Sequence, residues 1–231
     1  MKALLWKDCR VNLFVLVFGI VMLLSPFLTG LTRDLYAELR YGTASWWEAD
    51  GWVIISLVSL GLSMLTVAML AGNAMAAERT DRSAEFLAYL PPSRRAVITS
   101  KIILALGACL LIWTINLAVI YGLVPLMPGL PEDAYAASDG HPTNAVPGLA
   151  STAVVLFGIA WFCSSFLASP AISTGIGIFS PLAVAGGLQA VEYFFHPPSL
   201  DFGWWYCVIC VGLGILGFVA GTVHYLRRVE P

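Results

Sequence analysis

Between Pro142 and Val191 the chain runs for roughly fifty residues without one Asp, Glu, Lys or Arg. A stretch so poor in charge has no means of presenting a surface to water. A bilayer accepts it: one helical crossing of the hydrocarbon core takes about 20 apolar residues. The run is too long for a single crossing, and Ser169-Pro170 divides it. Proline lacks a backbone donor and disfavours helix in the residue before it. Two spans are therefore predicted, Gly148 to Ala168 and Pro170 to Ala190, joined by a tight turn.

The same criterion finds four more charge-free stretches, Leu13–Leu31, Trp52–Met75, Ile102–Met127 and Phe202–Leu226. The expected fold class is all-α: a polytopic integral membrane protein of six transmembrane helices, forming one domain over residues 1–231. Composition agrees, because 11% of the residues are charged where a soluble domain carries about 25%. Lys2, Lys7 and Arg10 imitate the basic leader of a signal peptide. The apolar run behind them exceeds the usual ~7–15 residues and no small-x-small site follows, so it is read as a true span. Five cysteines scattered through apolar runs form no disulfide framework.

Orientation follows from the basic residues, which accumulate in cytoplasmic loops. With six spans, one face receives Lys2, Lys7, Arg10, Arg79, Arg82, Arg94, Arg95, Lys101, Arg227 and Arg228, and the other only Arg33 and Arg40. That second face holds the acids Asp34, Glu38, Glu48, Asp50, Glu132, Asp133, Asp139, Glu192 and Asp201. Both termini are thus expected in the cytoplasm and the chain in the cytoplasmic (inner) cell membrane. Trp46-Trp47 and Trp204-Trp205 fall at predicted outer boundaries, in the headgroup layer that indoles favour.

The one substantial cytoplasmic loop, residues 78–101, reads ERTDRSAEFLAYLPPSRRAVITSK. Thr80 or Asp81 can cap a helix start. Ser83, Phe86, Leu87 and Leu90 then fall at i, i+3, i+4 and i+7, one apolar stripe. Pro91-Pro92 ends that helix, and Ser93 can cap the next, whose first turns carry Arg94, Arg95 and Lys101 into the third span. Anchoring to anionic headgroups would account for the basic residues. It leaves the rigid corner and the phenylalanine without a purpose, and a docking helix for a soluble partner uses both. Residues 1–10 form a second, weaker amphipathic piece, with Leu4 and Leu5 against Lys2, Lys7 and Arg10.

Six spans, a Lys-Asp-Cys-Arg start and this loop together resemble the membrane subunits of ABC exporters of the ABC-2-type permease class. In that family the loop after the second span carries a coupling helix, commonly an acidic residue, a Leu-Pro-x-Ser-Arg corner and a Lys opening the third span. Glu78, Glu85, Leu90, Pro91, Ser93, Arg94 and Lys101 stand at the matching positions. The resemblance implies a permease subunit of an ATP-driven exporter, paired with a second permease subunit (the same or different) to form the pathway. An ABC ATP-binding subunit in trans would dock on Glu78, Arg82, Glu85, Phe86, Leu87, Leu90, Pro91 and Arg94 and hold ATP-Mg. This chain has no G-x-x-x-x-G-K-[ST] to cradle phosphates, so it is expected to be a transporter component rather than an enzyme, binding no cofactor and no nucleic acid. The alternative is an integral membrane assembly or signalling protein without a pathway, whose basic loop recruits a cytosolic partner. A membrane enzyme is disfavoured, because no catalytic constellation emerges.

Polar groups within spans mark either a pathway or a helix contact. Asn73, Asn116, Gln189 and Glu192 are the pathway candidates. Glu192 and His196 share a face at i, i+4, but two ligands alone do not make a metal site. The family often places a short re-entrant or external helix between its last two spans, which would fall at residues 188–202. Cys207-Val-Ile-Cys210 reads as two small packing residues, and Gly217-x-x-x-Gly221 as a small-xxx-small helix contact. Residues 33–50, with Leu35, Tyr36 and Leu39 at helical spacing, suggest a short interfacial helix; 128–147 is an outward loop.

Overall fold

The computed structural model describes residues 2–41, 49–80, 93–123, 145–195 and 201–227. All regular structure among them is helical: α1 (Lys2–Val11), α2 (Leu13–Tyr41), α3 (Ala49–Thr80), α4 (Arg94–Leu117), α5 (Ala145–Phe166), α6 (Pro170–Phe195) and α7 (Phe202–Arg227). Six of these, α2 to α7, are long and apolar enough to cross a bilayer. The expected all-α, six-span architecture is what the chain adopts.

Local chemistry sets several boundaries. Ser93 caps α4 in extended backbone (φ −63°, ψ 145°), its Oγ accepting from Ala96 N at 3.3 Å. Ser169 takes the same part for α6, 3.4 Å from Ile172 N, and Pro170 occupies the first helical position, where its missing donor is harmless. Asn12 separates α1 from α2 by one residue, yet helical bonds continue through it, from Asn12 N to Asp8 O (3.0 Å) and Leu16 N to Asn12 O (2.9 Å). At Ala118, α4 widens into a π-helical turn that runs to Leu123.

Two expectations are corrected. Residues 33–41 do not form a separate interfacial helix, because α2 continues unbroken to Tyr41; nothing between Leu31 and Tyr41 interrupts the helical ladder. Likewise no re-entrant element starts at Leu188: α6 continues to Phe195, since no proline falls between Leu188 and Pro197. Both helices simply outlast the hydrocarbon thickness.

α3 is the axis of the bundle. It packs against α2, α4, α5 and α6, and from Gly51 to Ala77 it carries no charged residue on any face. Leu60, Met64, Val67 and Ala68 interlock with Leu23, Ile112, Ala153 and Leu156. A second cluster joins Ala71, Ala74 and Met75 to Ile98, Ala160 and Trp161. The Trp161 indole is fully buried; it stacks on Phe157 and donates to Thr222 Oγ1 at 3.1 Å. The face of α3 toward α2 is lined with Ser56, Ser59, Ser63 and Thr66 at a 3-4-3 spacing, all buried. These small side chains admit close approach: Ser59 donates to Leu23 O at 2.7 Å, and a Cβ on Gly19 would meet Thr66 Cγ2 at 2.6 Å.

The pair Gly217/Gly221 packs within the chain, against α5. A Cβ on Gly217 would stand 2.7 Å from Gly158 O, and one on Gly221 2.9 Å from Phe162 Cα. Gly214 extends the seam to Val154, and Gly158 mirrors it from the other side. α4 is the opposite case. Only 17% of its spanning stretch is buried, and apolar clefts flank it: one of about 470 Å³ toward α2, beside Gly19 and Gly107, and one of about 640 Å³ toward α5 and α7, beside Trp113, Phe157 and Phe218.

A candidate coupling site at the base of the loop

The expected docking helix, with Arg82, Glu85, Phe86, Leu87, Leu90 and Pro91, lies outside the described residues; Thr80 is the last residue of α3, and Arg94 opens α4. What is described is the base on which that loop stands. The last turn of α3 carries Glu78 beyond the apolar run, and the second turn of α4 carries Ser100 and Lys101. α1 passes beside both.

These elements meet in a buried ion cluster. Glu78 Oε1 accepts from Lys7 Nζ and from Lys101 Nζ, each at 3.1 Å. Lys101 Nζ also lies 3.5 Å from Asp8 Oδ1, and Ser100 Oγ donates to Asp8 Oδ2. The side chains of Asp8, Glu78 and Lys101 are 5%, 8% and 7% exposed, and Lys7 is half-buried at 29%. Burying an ion carries a desolvation penalty of several kcal/mol, which only close partners and hydrogen bonds offset. Here two cations face two anions, so the cluster is neutral as a whole. Asn12, one turn after Asp8, donates from Nδ2 to Asp8 O at 3.0 Å and fixes the helix that presents the carboxylate.

Sequence reasoning placed Glu78 and Lys101 at the loop and Lys7 on the amphipathic start, but paired none of them and gave Asp8 no role beyond the Lys-Asp-Cys-Arg start. The signal was present. Asp8 is an acid inside a basic leader, and Lys101 abuts Ile102 with no polar spacer. Charges set against an apolar run need partners.

The four pathway candidates sit at different places and are not gathered into one cluster. Asn116 is fully buried in α4, its Nδ2 donating to Ile112 O at 2.8 Å while Oδ1 meets no partner. Asn73 is half-buried toward the Glu78 end of α3, one residue from the close contact of Gly72 with Thr174. Gln189 and Glu192 are exposed on the far part of α6, and His196 lies outside the described residues. Among the described residues no three His, Cys, Asp or Glu side chains stand together as a metal site. Cys207 and Cys210 are free thiols in α7, Cys210 buried and Cys207 3.5 Å from Ser151 Oγ.

Six apolar spans with α3 at their centre, and an ion cluster at one end, define a multi-pass helical membrane protein. The family described as ABC-2 family transporter protein matches residues 5–180, from α1 into α6, and the chain belongs to that family of transporter membrane proteins. No curated protein and no solved structure matches the chain.

Proposed function

We propose that the chain is the permease subunit of an ATP-driven exporter in the cell membrane, with both termini and the 78–101 loop in the cytoplasm. It pairs with a second permease subunit, and an ABC ATP-binding subunit in trans, holding ATP-Mg, docks on the segment that carries Glu78, Arg82, Glu85, Phe86, Leu87, Leu90, Pro91 and Arg94. Membership of the transporter family supports the permease role. The observation that carries the coupling role is the ion cluster: Glu78 and Lys101, on the two sides of the loop, are bonded to each other at 3.1 Å. Force on the loop therefore reaches two helices through a single closed base. One of them is α3, which touches four neighbours and spreads the displacement. The other is α4, the span with the least buried surface, which has clefts to move into.

The test is to replace Phe86 and Leu87 with Asp. The expected result is loss of copurification with the ATP-binding subunit while the permease still inserts in the membrane. Undiminished copurification would reject the docking role.

A further inference from the structure

Glu78 and Lys101 would suffice to close the base of the loop. Yet the cluster recruits two more charges from a helix far away in sequence. Lys7 and Asp8 belong to α1, and neither lies in the loop or in a span. Asp8 is 4% exposed, more deeply placed than a helix merely resting on headgroups requires. Its carboxylate is engaged at both oxygens, by Lys101 and by Ser100. Meanwhile Lys7, one position earlier, reaches the other anion, Glu78. Adjacent residues of one helix thus grip both walls of the loop base. α1 in turn runs into α2 through the single residue Asn12, with helical bonds on either side.

We infer that Lys7 and Asp8 are positioning residues that latch α1 to the loop base, so that α1, α2, the inner end of α3 and the start of α4 are displaced as one body when the loop is driven. The inference rests on the coupling role proposed above. It makes the N-terminal helix part of the transmission rather than a membrane anchor. The physical basis is that a buried ion cluster has few alternative arrangements. Moving α1 away from α4 would strand Asp8 and Lys101 without partners in a poorly hydrated site, and such stranding is strongly unfavourable. Apolar contacts alone, by contrast, allow sliding. Networks of this kind are best attested as devices that fix register.

The experiment measures spin-label distances in the full complex with its ATP-binding subunit, comparing the nucleotide-free state with the AMP-PNP-bound state. Labels are placed on a cysteine-free background at exposed positions: Ala3→Cys with Thr99→Cys reads α1 against α4, and Thr99→Cys with Ala171→Cys reads α4 against α6. With the latch intact, the second distance shifts by about 2 Å or more, the scale of interface helix shifts, while the first stays fixed. Asp8→Asn lets the first distance change with nucleotide, with the ATP-binding subunit still bound. Asp8→Glu and Lys101→Arg keep it fixed. Where Asp8→Asn does not accumulate, Lys7→Gln, at the more exposed edge, replaces it. A first distance that changes in the unmodified cluster, or one that stays fixed in Asp8→Asn and Lys7→Gln, overturns the latch and leaves the coupling role standing. No nucleotide response in either pair overturns the coupling role, and the latch with it.

Discussion

Replacing Lys101 by Met keeps the length of the side chain and removes one of the cluster's two cations. Asp8 then loses its ion pair at 3.5 Å and Glu78 one of its two at 3.1 Å. The remaining set, Lys7 against Asp8 and Glu78, carries a net negative charge within a site where both carboxylates are over nine-tenths buried. At an effective dielectric of ~20, one pair at such a separation amounts to about 5 kcal/mol of attraction, most of it offset by desolvation. Truncating one partner of a buried pair removes the attraction and leaves the penalty, which costs about 3–5 kcal/mol. For a chain of this size that corresponds to roughly 6–20 °C in Tm, at about 2–4 °C per kcal/mol. Asp8→Asn unbalances the cluster in the opposite sense and destabilises it too. The double variant Asp8→Asn/Lys101→Met restores neutrality, with Lys7 and Glu78 still paired. Its loss is expected to fall short of the sum of the single losses by about 2 kcal/mol, a coupling of the size seen for residues sharing one network. Thermal unfolding of the four proteins in one detergent, followed by tryptophan fluorescence, measures this. Strict additivity, or a Lys101→Met protein melting within a degree of the parent, would refute the reasoning that the charges stabilise one another.

Other expectations are simpler. Gly158→Ala drives a Cβ into the Gly214 backbone, where the carbonyl carbon lies 2.5 Å away, and overpacking of this kind costs about 1–3 kcal/mol. Gly212→Ala, on the same helix as Gly214 but with nothing within 4 Å of the new carbon, stabilises by up to ~1 kcal/mol; thermal unfolding compares the two. Asn116→Leu removes a buried amide oxygen that has no partner and raises the melting temperature. If Asn116 belongs to the pathway, substrate-stimulated ATP hydrolysis by the complex falls at the same time. Arg95→Cys, exposed in the first turn of α4, reacts with a membrane-impermeant maleimide in inverted vesicles and not in intact cells; the reverse pattern would invert the topology.

The six spans were legible because charge-free runs bounded by charged or proline-containing segments translate directly into bilayer crossings. Ser169-Pro170 split the longest run where the chain does turn. The extensions to Tyr41 and Phe195 were not legible, because leaving the hydrocarbon core does not end a helix and only a breaker or a competing cap does. The ion cluster was half visible. Lys7 and Glu78 lie 71 residues apart and Ser100 and Asp8 92 apart, so local pattern marks each as an oddity without pairing them. The glycine seam shows the same limit. Gly217 and Gly221 announce a close contact by their spacing, but the partner Gly158 has Val154 and Phe162 four residues to either side and is found only by packing. The serine face of α3 carries a 3-4-3 spacing that could have been read as a helix contact.

The α5–α7 seam has a consequence for permeation. Where main chain lies against main chain, the space between two helices is filled by their own carbonyls and α-carbons, and a file of water or a solute has nowhere to form. Gly158 and Gly217 are already in that state, with no side chain left to swing aside. That seam is a wall, and a passage through it would require tearing two backbones apart. A passage between these two helices is therefore closed, whatever route the rest of the chain offers.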